Sequence, residues 1–65
     1  MNINLNNKTY ETQAATLQQL ADELALPGKG VAVAIDNVMV PRHEWAGREI
    51  NSSQNILIIK AFAGG

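Results

Sequence analysis

The last four residues of the chain, Phe62-Ala63-Gly64-Gly65, form the pattern most suggestive of chemistry. Two consecutive glycines carry no Cβ, so such a segment can thread a narrow channel and bend freely. A carboxylate on Gly65 is sterically open, and with a pKa of about 3.5 it is ionised at neutral pH. It can attack the α-phosphate of ATP to form an acyl-adenylate, which a sulfur nucleophile can displace. Composition alone leaves a second interpretation open, a frayed end with no role.

The rest of the sequence offers little chemistry of its own. Sixty-five residues suffice for one small domain with a modest core. Cysteine is absent, and the single histidine, His43, lacks the co-ligands that a zinc site requires. No Ser/His/Asp set, phosphate loop or carboxylate pair is present. We therefore expect a substrate of other proteins rather than an enzyme, with no bound cofactor and no metal.

Charge and hydropathy narrow the range of partners. The formal net charge is −1 and no basic run occurs, which argues against a phosphate-binding surface. No apolar stretch approaches the roughly 20 residues of a membrane span. The first ten residues lack the basic start and apolar run of a signal peptide. We expect a cytoplasmic protein that binds neither nucleic acid nor membrane.

Hydrophobic periodicity predicts a hairpin and then a helix. The first ten residues alternate apolar and polar side chains, and Asn6-Asn7 is a turn signal. A second strand, roughly Lys8 to Thr12, would complete a hairpin. Thr16 and Gln19 match a capping box, and Pro27-Gly28 is expected to end the helix. The expected apolar face comprises Leu17, Leu20, Ala21 and Leu24, and the expected solvent face comprises Gln18, Gln19, Asp22 and Glu23.

The second half of the chain predicts a second hairpin and a last strand. Residues 31–35 and 38–40 flank a turn at Asp36-Asn37, residues 43–46 suggest one helical turn, and residues 56–61 form the most apolar strand. A continuously apolar strand is expected at the centre of a sheet, here parallel to the first strand. The fold class is therefore α+β, a mixed sheet of four to five strands with one main helix across one face.

The alternation of two strands predicts an exposed apolar patch opposite the helix. Ala32 and Ala34 share one face of the third strand, and Leu57 and Ile59 share the same face of the last one. No second helix is available to cover these four side chains. Exposed patches of this kind often mark docking surfaces. The alternative is that Leu57 and Ile59 are only half-buried beneath their neighbours.

Three features together resemble the ThiS family, the ubiquitin-like β-grasp sulfur carriers of thiamine biosynthesis. They are the chain length, the stretch AIDNVMVPRHEW at 34–45 and the AGG at 63–65. The matching positions of the internal stretch are Asn37, Val40, Pro41, Arg42 and Trp45. Every β-grasp carrier shares the diglycine, so the internal stretch is what favours the thiazole branch. The resemblance implies a β-grasp domain at 1–61 and a flexible tail at 62–65.

The resemblance also implies a reaction cycle. A ThiF-like enzyme would use ATP and magnesium to adenylate Gly65, and sulfur from a donor such as a cysteine desulfurase would convert it to a thiocarboxylate. ThiG, the thiazole synthase, would then take the sulfur into the thiazole ring. Gly64 would leave steric room around the reacting carboxylate, and Ala63 and Phe62 would lie in the segment that partner enzymes bind. The four-residue patch would be the docking face.

Two other assignments stay open on the sequence. One is a carrier like MoaD, the small subunit of molybdopterin synthase, or a carrier for amino-acid sulfur metabolism. The other is a ubiquitin-like interaction module or modifier, whose tail would form an isopeptide with lysine. A carrier like MoaD is disfavoured because such chains are usually longer and tend to carry a proline just before their last residues.

Three further residues have structural interpretations. We expect Trp45 to pack over the edge of the core, since tryptophan is largely buried on average. Arg42 is expected to steer an acidic partner or to pair with Glu44 or Glu49. His43 is expected to be a solvated surface residue.

Overall fold

The computed structural model describes residues 1–60, which form one five-stranded mixed sheet with a helix across one face. The strands are β1 (Asn2–Leu5), β2 (Lys8–Glu11), β3 (Val31–Ile35), β4 (Val38–Met39) and β5 (Asn55–Lys60); the helices are α1 (Leu17–Glu23) and a 3₁₀ helix (Arg42–Gly47). The strand order is β2-β1-β5-β3-β4. Strands β1 and β5 are parallel, and the other pairs are antiparallel.

This topology confirms the predicted α+β fold with its last strand at the centre, parallel to the first. The helical segment at 43–46 is confirmed as part of the longer 3₁₀ helix. The predicted domain limit at residue 61 and the predicted tail at 62–65 lie outside the described residues.

Both hairpins turn through pairs of residues with positive φ. Asn6 and Asn7 have φ of 49° and 68°, and Asp36 and Asn37 have φ of 50° and 70°. Positive φ at both central positions is the type I′ geometry, whose twist matches that of antiparallel strands. Asparagine and aspartate tolerate this region better than most residues. The two predicted hairpins are thus confirmed, each with a two-residue loop.

Helix α1 begins as its sequence predicts. The Thr16 hydroxyl accepts a hydrogen bond from the Gln19 backbone N–H at 3.2 Å. The Gln19 side-chain oxygen accepts in return from the Thr16 N–H at 3.3 Å and from the Ala15 N–H at 2.7 Å. This capping box satisfies backbone donors that have no partner within the helix.

The helix ends earlier than predicted. Its last residue is Glu23, and the chain leaves the helix through Ala25, whose φ is 55°. The Leu26 N–H then donates to the Ala21 carbonyl at 3.0 Å, the closing bond of a Schellman motif. The prediction that Pro27-Gly28 ends the helix was wrong, because a left-handed alanine stops it first.

The core lies between α1, the 3₁₀ helix and the inner face of the sheet. The fully buried large apolar side chains are Trp45, Ile3, Leu17, Leu20, Ile35, Ile56 and Val33. Trp45 is enclosed in this core rather than lying over its edge, and its indole N–H donates to the Val40 carbonyl at 2.9 Å. The predicted apolar face of α1 is confirmed for its three buried members, and Leu24 is half-buried.

Arg42 has a structural role that the sequence did not predict. Its guanidinium donates to the Pro27 carbonyl at 2.9 Å and lies 4.1 Å from the centroid of the Trp45 ring. The expected pairing with Glu44 or Glu49 was therefore wrong. The guanidinium instead ties the loop after α1 to the 3₁₀ helix through a hydrogen bond and a cation–π contact.

Candidate functional site

The residues with the most suggestive chemistry, Phe62, Ala63, Gly64 and Gly65, lie outside the described residues. The structure describes the strand that leads to them. Strand β5 runs through the middle of the sheet, and its last residue, Lys60, pairs with Val31 of β3. The chain therefore passes from a fixed central strand into the segment that begins at residue 61.

Side chains from both hairpin turns bind the backbone of β5. The Asn6 carboxamide accepts from the Ile58 N–H at 2.7 Å and donates to the Ile58 carbonyl at 3.3 Å. The Asp36 carboxylate accepts from the Asn55 N–H at 2.9 Å. Sequence analysis identified these residues only as turn formers. Their contacts with β5 depend on the order of the strands, which no local pattern encodes.

The four predicted docking residues lie together on the sheet face opposite α1. Ala32 pairs with Ile59, and Ala34 pairs with Leu57. Leu57 and Ile59 are 43% and 46% exposed, and Ala32 is half-buried. Ala34 is only 6% exposed, so its prediction as a member of an exposed patch was wrong. Its small side chain lies between the larger residues of the two neighbouring strands.

Sequence analysis missed a further apolar residue on this face. Met39 pairs with Ala34 and therefore points to the same side of the sheet; it is 57% exposed. We call Ala32, Met39, Leu57 and Ile59 the outer patch. The predicted hairpin register could have revealed it, because a two-residue turn at Asp36-Asn37 pairs Val38 with Ile35 and therefore Met39 with Ala34. Val38 is similarly exposed but pairs with the inner residue Ile35.

A polar depression adjoins the outer patch at the end of the sheet that holds both turns. Its volume is about 330 Å³, and its lining residues are Asn4, Asn6, Asn7, Asn37, Asn55, Ile56 and Leu57. Five of these seven side chains are carboxamides, which donate and accept hydrogen bonds without carrying charge. The outer patch is thus bordered by neutral hydrogen-bonding groups.

Glu23 joins α1 to the hairpin on the inner side of the molecule. Its carboxylate accepts from the Tyr10 hydroxyl at 2.8 Å, from the Thr12 hydroxyl at 3.0 Å and from the Gln13 N–H at 3.3 Å. The hydrogen bond from Tyr10 is the largest of the effects that lower the pKa of Glu23. The same bond raises the pKa of Tyr10. Glu23 is exposed, as predicted, and its hydrogen bonds to the hairpin were not predicted from the sequence.

Neither a metal-binding cluster nor a membrane-spanning helix occurs among residues 1–60. Among residues 1–60, no three His, Cys, Asp or Glu side chains lie close enough together to hold a metal ion. His43 is exposed as predicted, with its Nε2 atom 3.7 Å from a Glu44 carboxylate oxygen. Over the same range, no helix has the length and apolar character needed to cross a bilayer.

Comparison with known proteins relates these features to a family. The model of the ThiS family matches residues 2–65 of the chain. The chain belongs to the ThiS family. The sulfur carrier protein ThiS of Escherichia coli (strain K12) is 32% identical over 66 aligned positions, with both chains covered completely.

The ThiS fold is also shared with a solved structure. The crystal structure of a thiamine biosynthesis protein (ThiS) from Geobacter metallireducens superposes with a TM-score of 0.83 over the whole of both chains, at 17% identity. That likeness shows the β-grasp fold. Together with the family match, it confirms the resemblance inferred from sequence and places the chain among the sulfur carriers of thiamine biosynthesis.

Proposed function

We propose that this ThiS chain carries sulfur as a thiocarboxylate on Gly65 and donates it for formation of the thiazole ring. A ThiF-like enzyme would supply ATP, magnesium and the catalytic groups for adenylation. A donor such as a cysteine desulfurase would supply sulfur, and a ThiG-type thiazole synthase would accept it. In this role the chain is a protein substrate, and its own residues present the tail.

The observation that carries the proposal is the family match, which continues through residue 65 and so includes Gly64 and Gly65. The structure adds an open sheet face beside the strand that leads to these residues. The fixed end of β5 at Lys60 lies five residues before Gly65, a length of chain that can reach at most about 18 Å. The described scaffold is thus suited to present a short tail to another protein.

The proposed reaction replaces one carboxylate oxygen by sulfur in two steps. A Gly65 carboxylate oxygen attacks the α-phosphorus of ATP, the bond to the β-phosphate breaks, and pyrophosphate leaves. A thiol reduces the donor's persulfide to hydrosulfide and is itself oxidised to a disulfide. The hydrosulfide then attacks the acyl carbon, and AMP leaves with the transferred oxygen. Each step at the carboxyl group is an acyl or phosphoryl substitution, without net oxidation of the acyl carbon.

The outer patch is the proposed docking surface for the partner enzymes. Leu57 and Ile59 are nearly half exposed, although both lie on the central strand. Covering them with an apolar partner surface removes this area from water and contributes roughly 25 cal/mol per Å². Because Leu57 and Ile59 lie on β5, the strand that leads to residue 61, docking here would also bring Gly65 toward the partner.

Mass spectrometry of the intact protein tests the carrier proposal. With a competent adenylating enzyme, ATP and a sulfur source, we expect a gain of about 16 Da, the replacement of one oxygen by sulfur. A control without ATP should show no gain. An unchanged mass with an enzyme that modifies another ThiS protein would refute the proposal, and an isopeptide-linked product would indicate a modifier instead.

Deletion of Gly64 and Gly65 separates the tail from the fold. We expect the shortened protein to accept no sulfur and to retain its thermal midpoint, because terminal residues contribute little to a core. Thermal unfolding followed by circular dichroism checks the second point. A large loss of stability would contradict the idea that these residues act only on partners.

A further inference from the structure

Strand β1 supports only the first part of β5. Its last backbone pairings with β5 are Asn4 with Asn55 and Leu5 with Ile56, followed by the hydrogen bond from the Asn6 N–H to the Ile56 carbonyl at 2.9 Å. The type I′ turn then takes the chain away into β2. Backbone pairing with β1 therefore ends before β5 reaches Ile58.

The Asn6 side chain fills the place of the missing backbone. In a parallel ladder, the Ile58 N–H and carbonyl would pair with the next residues of β1. Here one carboxamide makes both bonds, accepting at 2.7 Å and donating at 3.3 Å. A primary amide carries an acceptor oxygen and an NH2 donor on one planar group, so one side chain can supply the acceptor and the donor that two successive peptide groups of a neighbouring strand would supply.

The other edge of β5 is supported differently. Strand β3 pairs with β5 from Ile56 through to Lys60 by a continuous antiparallel ladder. On the edge of β5 that faces β1, Ile58 is the last residue whose backbone is hydrogen-bonded by the described residues. The Asn6 side chain alone makes those hydrogen bonds. The direction in which β5 ends thus depends on Asn6 more than on any other residue of the hairpin.

We propose that Asn6 is a positioning residue for the reactive terminus. By holding Ile58, it fixes the end of β5 and therefore the point and direction from which the segment after Lys60 departs. A partner that binds the outer patch then receives the segment that begins at residue 61 from a fixed point of departure. This inference rests on the proposed carrier function and adds to it a residue that acts through β5.

Two glycine variants separate this role from the turn itself. Asn6→Gly keeps the positive φ that the turn needs and removes the carboxamide. Asn7→Gly makes the same change at the neighbouring position, whose φ is also positive and whose side chain makes no hydrogen bond with β5 among the described residues. Asn6→Asp is the conservative variant, since it keeps the acceptor for the Ile58 N–H and loses the donor.

Amide hydrogen exchange of the free protein is the first measurement. The Ile58 amide should exchange about tenfold faster in Asn6→Gly, with a smaller change in Asn6→Asp and none in Asn7→Gly. The Ile59 amide is the internal reference, because successive residues alternate and it faces β3. Unchanged Ile58 exchange in Asn6→Gly would overturn the proposal.

Steady-state adenylation by the partner enzyme is the second measurement. We expect kcat to fall about tenfold for Asn6→Gly with KM changed less than about twofold, because the docking surface is intact while the reacting carboxylate is misplaced. Asn6→Asp should recover part of kcat, and Asn7→Gly should match the wild type. A merely destabilised scaffold that remains folded would not lower kcat in this selective way.

The outcomes for the two proposals are distinguishable. If the wild-type protein is not adenylated, the carrier function fails, and the role of Asn6 in it fails as well. If the wild type is adenylated and Asn6→Gly reacts with the same kcat despite faster Ile58 exchange, only the positioning role of Asn6 is refuted.

Discussion

The charge state of Glu23 affects the contacts between α1 and the first hairpin. Its carboxylate receives hydrogen bonds from Tyr10, Thr12 and Gln13, and Thr12 is itself only 1% exposed. The hydroxyl of Thr12 also accepts from the Ala14 N–H at 3.0 Å, so the loop before α1 is part of the same network. Protonation of Glu23 would weaken several contacts between the helix and the hairpin.

The lowered pKa of Glu23 predicts an acid-dependent stability. A carboxyl whose pKa is lower in the folded than in the unfolded protein stabilises the fold above its ordinary value of 4.5, and this contribution is lost as the pH falls through the folded pKa. Urea unfolding from pH 7 downward should show this loss. In Glu23→Gln the free energy of unfolding should depend less on pH over the same range. An unchanged pH dependence would contradict the conclusion that Glu23 causes the loss.

Tyr10 provides an independent check on the same contact. Tyr10→Phe removes the hydrogen bond that is the main cause of the lowered pKa of Glu23 and should flatten part of the acid profile. The raised pKa of Tyr10 makes the opposite prediction at high pH. The contribution of protonated Tyr10 to the stability of the fold is present below the ordinary pKa of 10.0 and is lost as the pH rises through the pKa of the folded protein. In Glu23→Gln this alkaline loss should shrink.

Ala25 adopts a left-handed backbone conformation that is unfavourable for alanine. The Schellman motif after α1 requires a left-handed residue, and glycine is the usual choice because a Cβ makes this region costly. Ala25→Gly should therefore raise the free energy of unfolding by about 1 kcal/mol and the thermal midpoint by about 4–8 °C. Calorimetry or circular dichroism measures both.

The control for Ala25→Gly is the same substitution at an exposed position without positive φ. Ala46 is exposed in the 3₁₀ helix. Ala46→Gly should lower the free energy of unfolding by about 0.5–1 kcal/mol, because glycine loses more backbone entropy on folding. If both variants change the free energy of unfolding in the same direction, the left-handed geometry at Ala25 does not cause the effect of Ala25→Gly.

At the scale of elements, the capping box fixes where α1 begins. Helix α1 has only seven residues, so a large part of its backbone lies within one turn of an end. Thr16→Ala should lower the free energy of unfolding by about 1 kcal/mol, and Thr16→Ser should restore most of it, because serine keeps the hydroxyl. Failure of the serine to rescue would argue against the hydroxyl as the cause.

Elements with local signals were predicted from the sequence. The alternation in β1, the residues Asn6-Asn7 and Asp36-Asn37, and the Thr16 cap each act through neighbours in the chain, so one sequence is enough to identify them. The central place of β5 was predicted for a similar reason, since a continuous apolar run avoids water on both faces.

Features that depend on tertiary contacts were missed or misjudged. Asn6 and Asp36 bind β5 because the strand order brings them beside it, and Glu23 meets Tyr10 across 13 positions of sequence. Ala34 is buried because its small side chain lies beneath neighbours on two strands. Of the candidate site, the sequence therefore predicted the location of the apolar face but not its full membership.

At the scale of the whole molecule, the two faces of the sheet differ in what covers them. The inner face is covered by α1 and the 3₁₀ helix and provides the core. The outer patch has no such cover among the described residues, and neutral asparagines border it. A partner that docks there is expected to gain mainly from apolar burial, so its affinity should depend only weakly on salt.

Leu57→Thr tests docking on this face with the fold retained. Threonine suits a strand, so the free energy of unfolding should fall by less than about 1 kcal/mol. Binding to the adenylating enzyme, measured by calorimetry, should weaken about five- to tenfold, because the exposed part of the leucine no longer contributes apolar area.

Val38→Thr is the matched control, since Val38 is 59% exposed but belongs to the helix side of β4. If both variants weaken binding equally, the docking surface is not confined to the outer patch; if neither does, the partner binds elsewhere, and the open face of the sheet has another role.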